Sequence, residues 1–169
     1  MTDLVTPDVR WYDSWQATLA DFRDEFPHGS GIRPGERFEG RDTCEAFVAD
    51  RLWHADPRHE LPEGRVHCDY LWITDGGQMI GFLALRHRLN DFLIDEGGHI
   101  GYSVRPSHRR QGHASRALRL ALERATDLGL DRVLITCKED NEGSRRTIEG
   151  AGGVFEDVRR GQRRYWITV

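Results

Sequence analysis

The segment from His99 to Cys137 changes its hydrophobic period twice, and this pattern limits the folds that are open to the chain. Alternation of apolar and polar residues predicts a short strand over His99–Val104. Apolar residues then recur every three or four positions over His113–Leu128, which predicts an amphipathic helix, with Gly129 as its C-cap. A second strand is predicted over Arg132–Cys137. Because a short strand–helix–strand unit makes a right-handed crossover, we expect these two strands to lie parallel in one sheet.

The remaining sequence predicts further strands and helices around this unit. Apolar spacing predicts a first helix over Val9–Phe26, and the glycine-rich stretch Pro27–Gly40 predicts a long, mobile loop. Asp42 and Glu45 resemble a capping box that opens a second helix, which ends near Trp53. The other predicted elements are a strand at Val66–Ile73, its hairpin partner at Met79–Arg86, a short helix at Glu142–Glu149, a turn at Gly150–Gly153 and a strand at Arg164–Val169. The sequence thus predicts a mixed sheet flanked by helices, in a single domain over residues 1–169.

The composition is that of a soluble globular chain. With 169 residues, 38% of them hydrophobic and a net charge of −4, the chain is long enough to bury a core without a metal or a disulfide. Its apolar runs fall far short of the ~20 residues that span a bilayer, and Met1–Arg10 lacks the basic start and the apolar run that a secretion leader has. Cys44, Cys68 and Cys137 are an odd number without metal-ligand spacing. We therefore expect a cytoplasmic protein with reduced thiols and no metal, and neither nucleic acid nor a membrane as partner.

The connection between the predicted strand and helix, from Val104 to Ser115, has the features of an anion-binding site. The first N–H groups of a helix have no partners within it and lie at the positive end of its dipole. Gly112 allows a ligand to approach the main chain, and Arg109, Arg110 and Arg116 add positive charge. A glycine turn that only starts a helix would have the same pattern. The segment matches neither a Walker A loop nor a dinucleotide-binding fingerprint.

This connection resembles motif A of the GNAT superfamily of acetyl-CoA-dependent N-acetyltransferases. Arg109–Ala114 matches the whole [QR]xxGx[GA] signature, and His99–Pro106 precedes it as the motif strand. The helix, the parallel strand and then Asn141–Ser144, which opens a short helix, follow in family order. The resemblance covers about Asp69–Phe155, whereas the first sixty residues match only as the usual opening pair of helices. It implies an α/β fold with a mixed, mostly antiparallel sheet, a central parallel βαβ unit and flanking helices.

The resemblance also implies which residues hold the cofactor, acetyl-CoA. Backbone amides of Arg109–Ala114 would bind the pyrophosphate, and Ser115 would add a hydroxyl. The strand end Tyr102–Val104 would pair with the pantetheine arm and offer an N–H to the thioester oxygen. Asn141 and Ser144 match positions that contact the cofactor in the family, although helix capping accounts for these residue types equally well. The cofactor-binding candidates are Tyr102, Ser103, Val104, Arg109, Arg110, Gln111, Gly112, His113, Ala114, Ser115, Asn141 and Ser144.

Acetyl transfer to an amine needs a base that removes the ammonium proton. His99 is the first candidate, because it occupies a position where some family members carry a catalytic glutamate and because a histidine pKa of ~6.5 suits this role at neutral pH. A hydrogen-bonded structural histidine is the competing interpretation. Glu96 is the second candidate, with an exposed loop carboxylate as its alternative.

The resemblance also predicts a general acid, a tyrosine seven residues after Asn141, but the sequence has Ile148 there. Water, Tyr165 or Tyr102 would then have to protonate the departing thiolate. This departure motivates an alternative function, a non-catalytic acyl-CoA-binding regulatory module.

The acceptor is expected to be an amine-bearing small molecule or a protein amine. Its specificity should lie in Pro27–Gly40, the second helix and Leu89–Gly98. Acidic residues in the last segment would suit a cationic amine, although solubility also explains them; these residues are Asp91, Asp95 and Glu96. The aromatic stripe of the first helix fits either a core or a dimer interface, so a homodimer is left open.

Overall fold

The computed structural model describes all residues from 1 to 169 and contains one seven-stranded sheet. The strands are β1 (Asp3–Val5), β2 (Cys68–Asp75), β3 (Gln78–Arg86), β4 (Ile100–Val104), β5 (Arg132–Lys138), β6 (Val154–Arg159) and β7 (Gln162–Thr168). The helices are α1 (Tyr12–Phe22), α2 (Arg41–Ala55), α3 (Asp91–Asp95), α4 (His113–Asp127) and α5 (Glu142–Gly150). The strand order is β1-β2-β3-β4-β5-β7-β6, in which only β4 and β5 are parallel. The mixed α/β fold with its parallel βαβ unit is therefore confirmed.

Each face of the sheet carries its own hydrophobic core. The α4 and α5 side is aliphatic, and Ala117, Leu118 and Ala121 of α4 are buried there. The α1 and α2 side is aromatic and includes Trp15 and Phe22. Most of the burial of the α1 stripe is therefore within the chain. No helix combines the length and the apolar character that crossing a membrane requires.

Several element boundaries differ from the sequence predictions. Helix α1 ends at Phe22 rather than Phe26, because Arg23 has a positive φ of 52° that breaks the helical backbone. The capping box predicted for α2 is wrong, since the helix begins at Arg41 after Gly40 and no side chain caps it. The sequence analysis did not predict β1, α3 or β6. The first two are only three and five residues long, and β6 is largely exposed on both faces, so none shows a clear hydrophobic period.

The loop between α1 and α2 is held to the body of the protein over its first part, contrary to the prediction of a mobile segment. The buried Arg51 of α2 donates to the carbonyl oxygens of Ser30, at 3.3 Å, and Gly31, at 2.8 Å. The Ser103 hydroxyl of β4 donates to the carbonyl of His28 over 2.6 Å. These bonds hold residues 28–31 across the α1 and α2 face of β4.

The loop meets β4 through two glycines. Gly29 has a φ of 83°, and a Cβ at this position would lie 2.4 Å from the carbonyl oxygen of Gly101. No other residue could adopt this backbone without moving one of the two chain segments. The contact brings the loop backbone directly onto the middle of β4.

Candidate functional site

The connection between β4 and α4 presents an unbroken run of free amides. The Arg109 N–H donates to the carbonyl of Pro106, so it is already satisfied. Each of the next six N–H groups, from Arg110 to Ser115, lacks an acceptor in the protein, and the first bonded amide is that of Arg116, which donates to Gly112. Six unpaired donors around a helix N-terminus favour a ligand that carries several anionic oxygens.

Gly112 keeps this run of amides open. Its backbone is left-handed with a φ of 83°, and a Cβ built on it would meet no atom within 4 Å. The space above the residue is therefore free for a ligand rather than filled by the protein. This opening and the free amides fit the diphosphate group of coenzyme A.

Two of the three arginine side chains around this loop already bind other parts of the protein. Arg109 donates to the Val104 carbonyl and pairs with Glu25, just beyond α1, at 2.7 Å. Arg116 donates to the Thr2 carbonyl at 3.0 Å. Arg110 alone among the three makes no hydrogen bond or ion pair with the protein, so it is the arginine that is free to meet an anion.

The remaining loop side chains are partly committed to other contacts. The buried His113 ring shares a 2.8 Å hydrogen bond with the Thr2 hydroxyl, so a cofactor contact there has to come from its amide. Ala114 packs against the core of the α4 side. Gln111 is exposed, and neither its side chain nor the Ser115 hydroxyl has a hydrogen-bond partner in the protein.

A second anchor ties the connection to α1. Asp21 accepts hydrogen bonds from the Ser107 amide, at 3.1 Å, and the Ser107 hydroxyl, at 2.6 Å. These bonds lower the pKa of the Asp21 carboxyl. The segment before the free amides is therefore fixed to the helix that precedes the anchored loop.

Strands β4 and β5 separate beyond their first contact. They pair at a single position, Ile100 with Ile135, whereas β3 pairs with β4 over Gly81–Leu85. In an antiparallel ladder the bonding groups alternate, so the Tyr102 backbone and the Val104 N–H point away from β3 and into this gap. The pantetheine arm is predicted to bind at this end of β4, beside the gap.

The candidate residues near α5 meet at one point. The hydroxyls of Tyr102 and Ser144 lie 3.0 Å apart, and the Asn141 side chain accepts a hydrogen bond from the Ser144 amide at 3.0 Å. Asn141 therefore caps α5, and its predicted cofactor contact remains a prediction. Burial raises the pKa of Tyr102 to about 12, so this phenol keeps its proton at neutral pH. Ser103 lies on the opposite face, bonded to the loop after α1.

His99, the first candidate base, is buried beside β5. Its Nδ1 accepts a hydrogen bond from the Leu134 amide at 2.9 Å, which puts the proton of the neutral ring on Nε2. Neither nitrogen then has a free lone pair. Burial, aided by the positive charge of Arg86, lowers the pKa of His99 to about 4. The expectation of a histidine that titrates near neutrality is therefore wrong, and the geometry favours a structural role.

This burial predicts a pH-dependent loss of stability. Because the folded pKa of about 4 lies below the ordinary 6.5, the folded state binds fewer protons than the unfolded state between these values. The stabilisation is complete above 6.5 and is lost as the pH falls towards 4, by up to about 3 kcal/mol. His99→Asn keeps an acceptor oxygen but cannot titrate, so we expect its free energy of unfolding to fall less on acidification. Urea unfolding of both proteins from about pH 8 to pH 5 measures this difference, and equal losses would contradict it.

Glu96, the second candidate base, ends α3 on the α1 and α2 side of the sheet. Its side chain is about one-third exposed, and its closest cation is Arg160, at 3.7 Å. Asp95 pairs more closely with Arg159, at 3.1 Å, and with Arg160. The acidic group suggested as a site for cationic acceptors is thus partly neutralised by the hairpin between β6 and β7.

The residues near the expected general acid are packed into the core. Ile148 is fully buried on the α5 side. Tyr165 is also fully buried, and its hydroxyl donates to Glu149 at 3.1 Å. The Tyr102 hydroxyl is the remaining phenol beside the gap.

The sequence analysis did not single out two polar residues of the α1 and α2 face, His28 and Arg86. His28 is exposed, yet the atoms around its ring and the charge of Lys138 lower its pKa, as expected for a group in a cleft. Arg86, at the end of β3, donates to the carbonyls of Gly97 and Gly98 at 3.2 Å. The only sequence signal near these two residues was that glycine-rich segments lie next to His28 and supply the carbonyls bound by Arg86. This signal did not indicate that the two segments meet over β4.

A comparison with family models gives a match over residues 6–154 to a family described as acetyltransferase (GNAT) domain. Among curated proteins, an uncharacterized N-acetyltransferase of Bacillus subtilis, YjdG, is 33% identical over 81 residues. This match covers 44% of the chain and 46% of that protein, so it spans less than half the length of the curated relative.

Several solved structures have the same fold. RimJ of Mycobacterium smegmatis in complex with CoA-disulfide has a TM-score of 0.71 and 22% identity, and the match covers 99% of this chain and 82% of that one. The microcin C7 self-immunity acetyltransferase MccE, in complex with acetyl-CoA and AMP, has a TM-score of 0.70 and 15% identity, over 99% and 92%. A Salmonella typhimurium acetyltransferase that modifies the N-terminal serine of ribosomal protein L7/L12 has a TM-score of 0.65 and 16% identity, over 99% and 95%.

Proposed function

Because the chain belongs to the GNAT family of acetyltransferases, we propose that it transfers the acetyl group of acetyl-CoA to a primary amine by direct attack in a ternary complex. The run of free amides from Arg110 to Ser115 carries this proposal, since it offers six unpaired donors to a diphosphate. Acetyl-CoA, when bound, supplies an acetyl group activated as a thioester. A small-molecule amine and a protein amine are the two acceptor classes, and the Salmonella neighbour that modifies an N-terminal serine is an example of the second.

The residues of the chain would divide the binding between two surfaces. The signature amides and the Arg110 guanidinium hold the diphosphate and neutralise its charge. The backbone of Tyr102–Val104 binds the arm in the gap beside β5, and the Tyr102 N–H donates to the carbonyl oxygen that becomes more negative during attack. Asn141 and Ser144 support this surface from the start of α5.

We propose Glu96 rather than His99 as the group that removes the proton from the acceptor amine. Its carboxylate is accessible to solvent and has free lone pairs, whereas the Nδ1 of His99 is occupied by the Leu134 amide. Water would protonate the departing thiolate, because Ile148 replaces the expected tyrosine and burial makes the Tyr102 phenol, with its pKa of about 12, a weaker acid than a thiol at ~8.5.

The assignment of the base predicts a contrast between two variants. Glu96→Gln should lower kcat/KM by at least about 100-fold, because the variant removes the acceptor of the proton. His99→Asn should lower it less than about tenfold, since it keeps the hydrogen bond to Leu134. Initial rates of both variants at saturating acetyl-CoA measure the contrast, and calorimetry should give wild-type cofactor affinity for each. The reverse order of losses would return the role to His99.

A non-catalytic acyl-CoA-binding module is the competing function, and the burial of Ile148 at the expected position of the acid favours it. Calorimetric titration with acetyl-CoA, coenzyme A and ATP tests the cofactor site, and acetylation of a panel of amines, followed by mass spectrometry, tests turnover. Saturable acetyl-CoA binding with turnover supports the enzyme. Binding without turnover on any amine supports the module, and binding of ATP alone contradicts both.

A further inference from the structure

A small hollow lies on the α1 and α2 face of β4, above Gly101. A Cβ built on Gly101 would lie 3.6 Å from Nη1 of Arg86, 3.9 Å from Nη2 of the same residue and 3.9 Å from the amide nitrogen of Gly29. Nitrogen atoms from two distant parts of the chain therefore border the partly exposed face of Gly101.

The groups around the hollow are hydrogen-bond donors without acceptors. Nη1 of Arg86 bonds the neutral carbonyls of Gly97 and Gly98, while Nη2 and Nε bond nothing in the protein. The Gly29 N–H also has no acceptor. Arg86 takes part in no ion pair, although its side chain is only partly exposed, so its charge is uncompensated. A partly buried cation beside a free amide favours an anionic oxygen ligand.

The acidic residues of this face do not compete for Arg86. Asp95 and Glu96 pair with Arg159 and Arg160 of the hairpin between β6 and β7. Arg86 also lies close to the segment that carries Glu96, because a Cβ on Gly97 would be 3.7 Å from its Nη1. The Arg86 guanidinium thus lies beside the backbone segment that carries Glu96.

We propose that the hollow above Gly101 binds the carboxylate of the acceptor through Arg86 and the Gly29 amide, and that the acceptor is a small molecule of the α-amino acid type. Gly101 precedes Tyr102 in β4, and one residue of strand spans about 3.3 Å. The carboxylate is therefore held within a few bonds of the amine that attacks beside Tyr102, and Glu96 is the base proposed for that amine. This inference rests on the proposed acetyltransferase function.

The test is a titration that needs no turnover. The amide NMR resonances of Gly29 and Gly101 are followed during addition of N-acetylglycine, which carries the carboxylate, or of N-acetylglycinamide, which has the same shape without the charge. We expect saturable shifts with N-acetylglycine and at least about tenfold weaker binding of the amide. Equal binding of both probes, or no saturation with either, would overturn the carboxylate site.

Two variants distinguish a loss of probe binding from a loss of folding. Gly101→Ala fills the hollow, and its new methyl group would make only ordinary contacts, so the protein should fold and lose the probe. Arg86→Gln should also lose it, whereas Arg88→Gln, which removes an exposed arginine bonded to the Arg65 carbonyl, should bind normally. Wild-type binding by Gly101→Ala and Arg86→Gln would contradict the assignment.

Coenzyme A titrations of the same variants distinguish the two proposals. We expect normal coenzyme affinity in Gly101→Ala and Arg86→Gln, because neither residue lies in the signature loop. If the wild-type protein did not bind coenzyme A, the proposed acetyltransferase function would be contradicted. The titration with N-acetylglycine would still show whether a carboxylate binds above Gly101.

Discussion

Replacing Gly112 by glutamate is expected to remove measurable coenzyme A binding, with Kd rising at least about 100-fold. The substitution puts a carboxylate into the open space above Gly112, beside the six free amides that would otherwise meet the diphosphate. Like charges then repel, and the glutamate carboxylate can itself accept hydrogen bonds from the amides. Isothermal titration calorimetry of the folded variant measures the loss.

Gly129→Glu is the matched control for this variant. Gly129 follows α4 at its other end and has a similar positive φ of 80°, and a Cβ at this position would also meet no atom within 4 Å. Both substitutions therefore add the same charge and a similar backbone strain of about 1 kcal/mol. If both variants lost coenzyme binding equally, or if neither did, the signature loop would not be the diphosphate site.

The second large effect is expected for stability, in Gly29→Ala. The new methyl group would lie 2.4 Å from the Gly101 carbonyl oxygen and 3.1 Å from the Cα of Leu83, both of which belong to the sheet backbone. Backbone cannot rotate away as a side chain does, so the loop has to detach from β4. Overpacking and the strained φ together should lower the free energy of unfolding by about 2–5 kcal/mol, measured by urea denaturation.

Gly35→Ala, in the same loop, isolates the steric part of this loss. Gly35 has a φ of 81°, close to the 83° of Gly29, but a Cβ there would meet nothing. We expect the control to lose only about 1 kcal/mol. Similar losses in both variants would mean that the contact between the loop and β4 contributes little to folding.

Local patterns were sufficient to predict the central part of the fold and the loop of free amides before α4. The helix stripe at His113–Leu128, between two alternating strands, predicted the parallel crossover, and a glycine before a helix predicted the free amides at Gly112. Both signals arise from residues close in sequence. The short elements β1 and α3, and the edge strand β6, have no such signal, because their formation depends on neighbours far along the chain.

The arrangement of residues on the α1 and α2 face of β4 could not be predicted in the same way. His99 accepts its hydrogen bond from the Leu134 amide, which is 35 positions away in the sequence, and its pKa depends on burial and on the charge of Arg86. The donors above Gly101 come from Gly29 and Arg86, which meet only because the loop after α1 crosses the strand. Sequence periodicity reports which face of a strand is buried, but not which distant segment covers it.

The single pairing of Ile100 with Ile135 divides the sheet into a four-stranded part, β1 to β4, and a three-stranded part, β5 to β7. Along this seam the two strands share few backbone hydrogen bonds, so cooperative unfolding of the two parts depends on their common core and on the hydrogen bonds between His99 and Leu134. A molecule seated in the seam would supply the contacts that the ladder lacks. A molecule bound between β4 and β5 would therefore make the unfolding of the two parts of the sheet more cooperative.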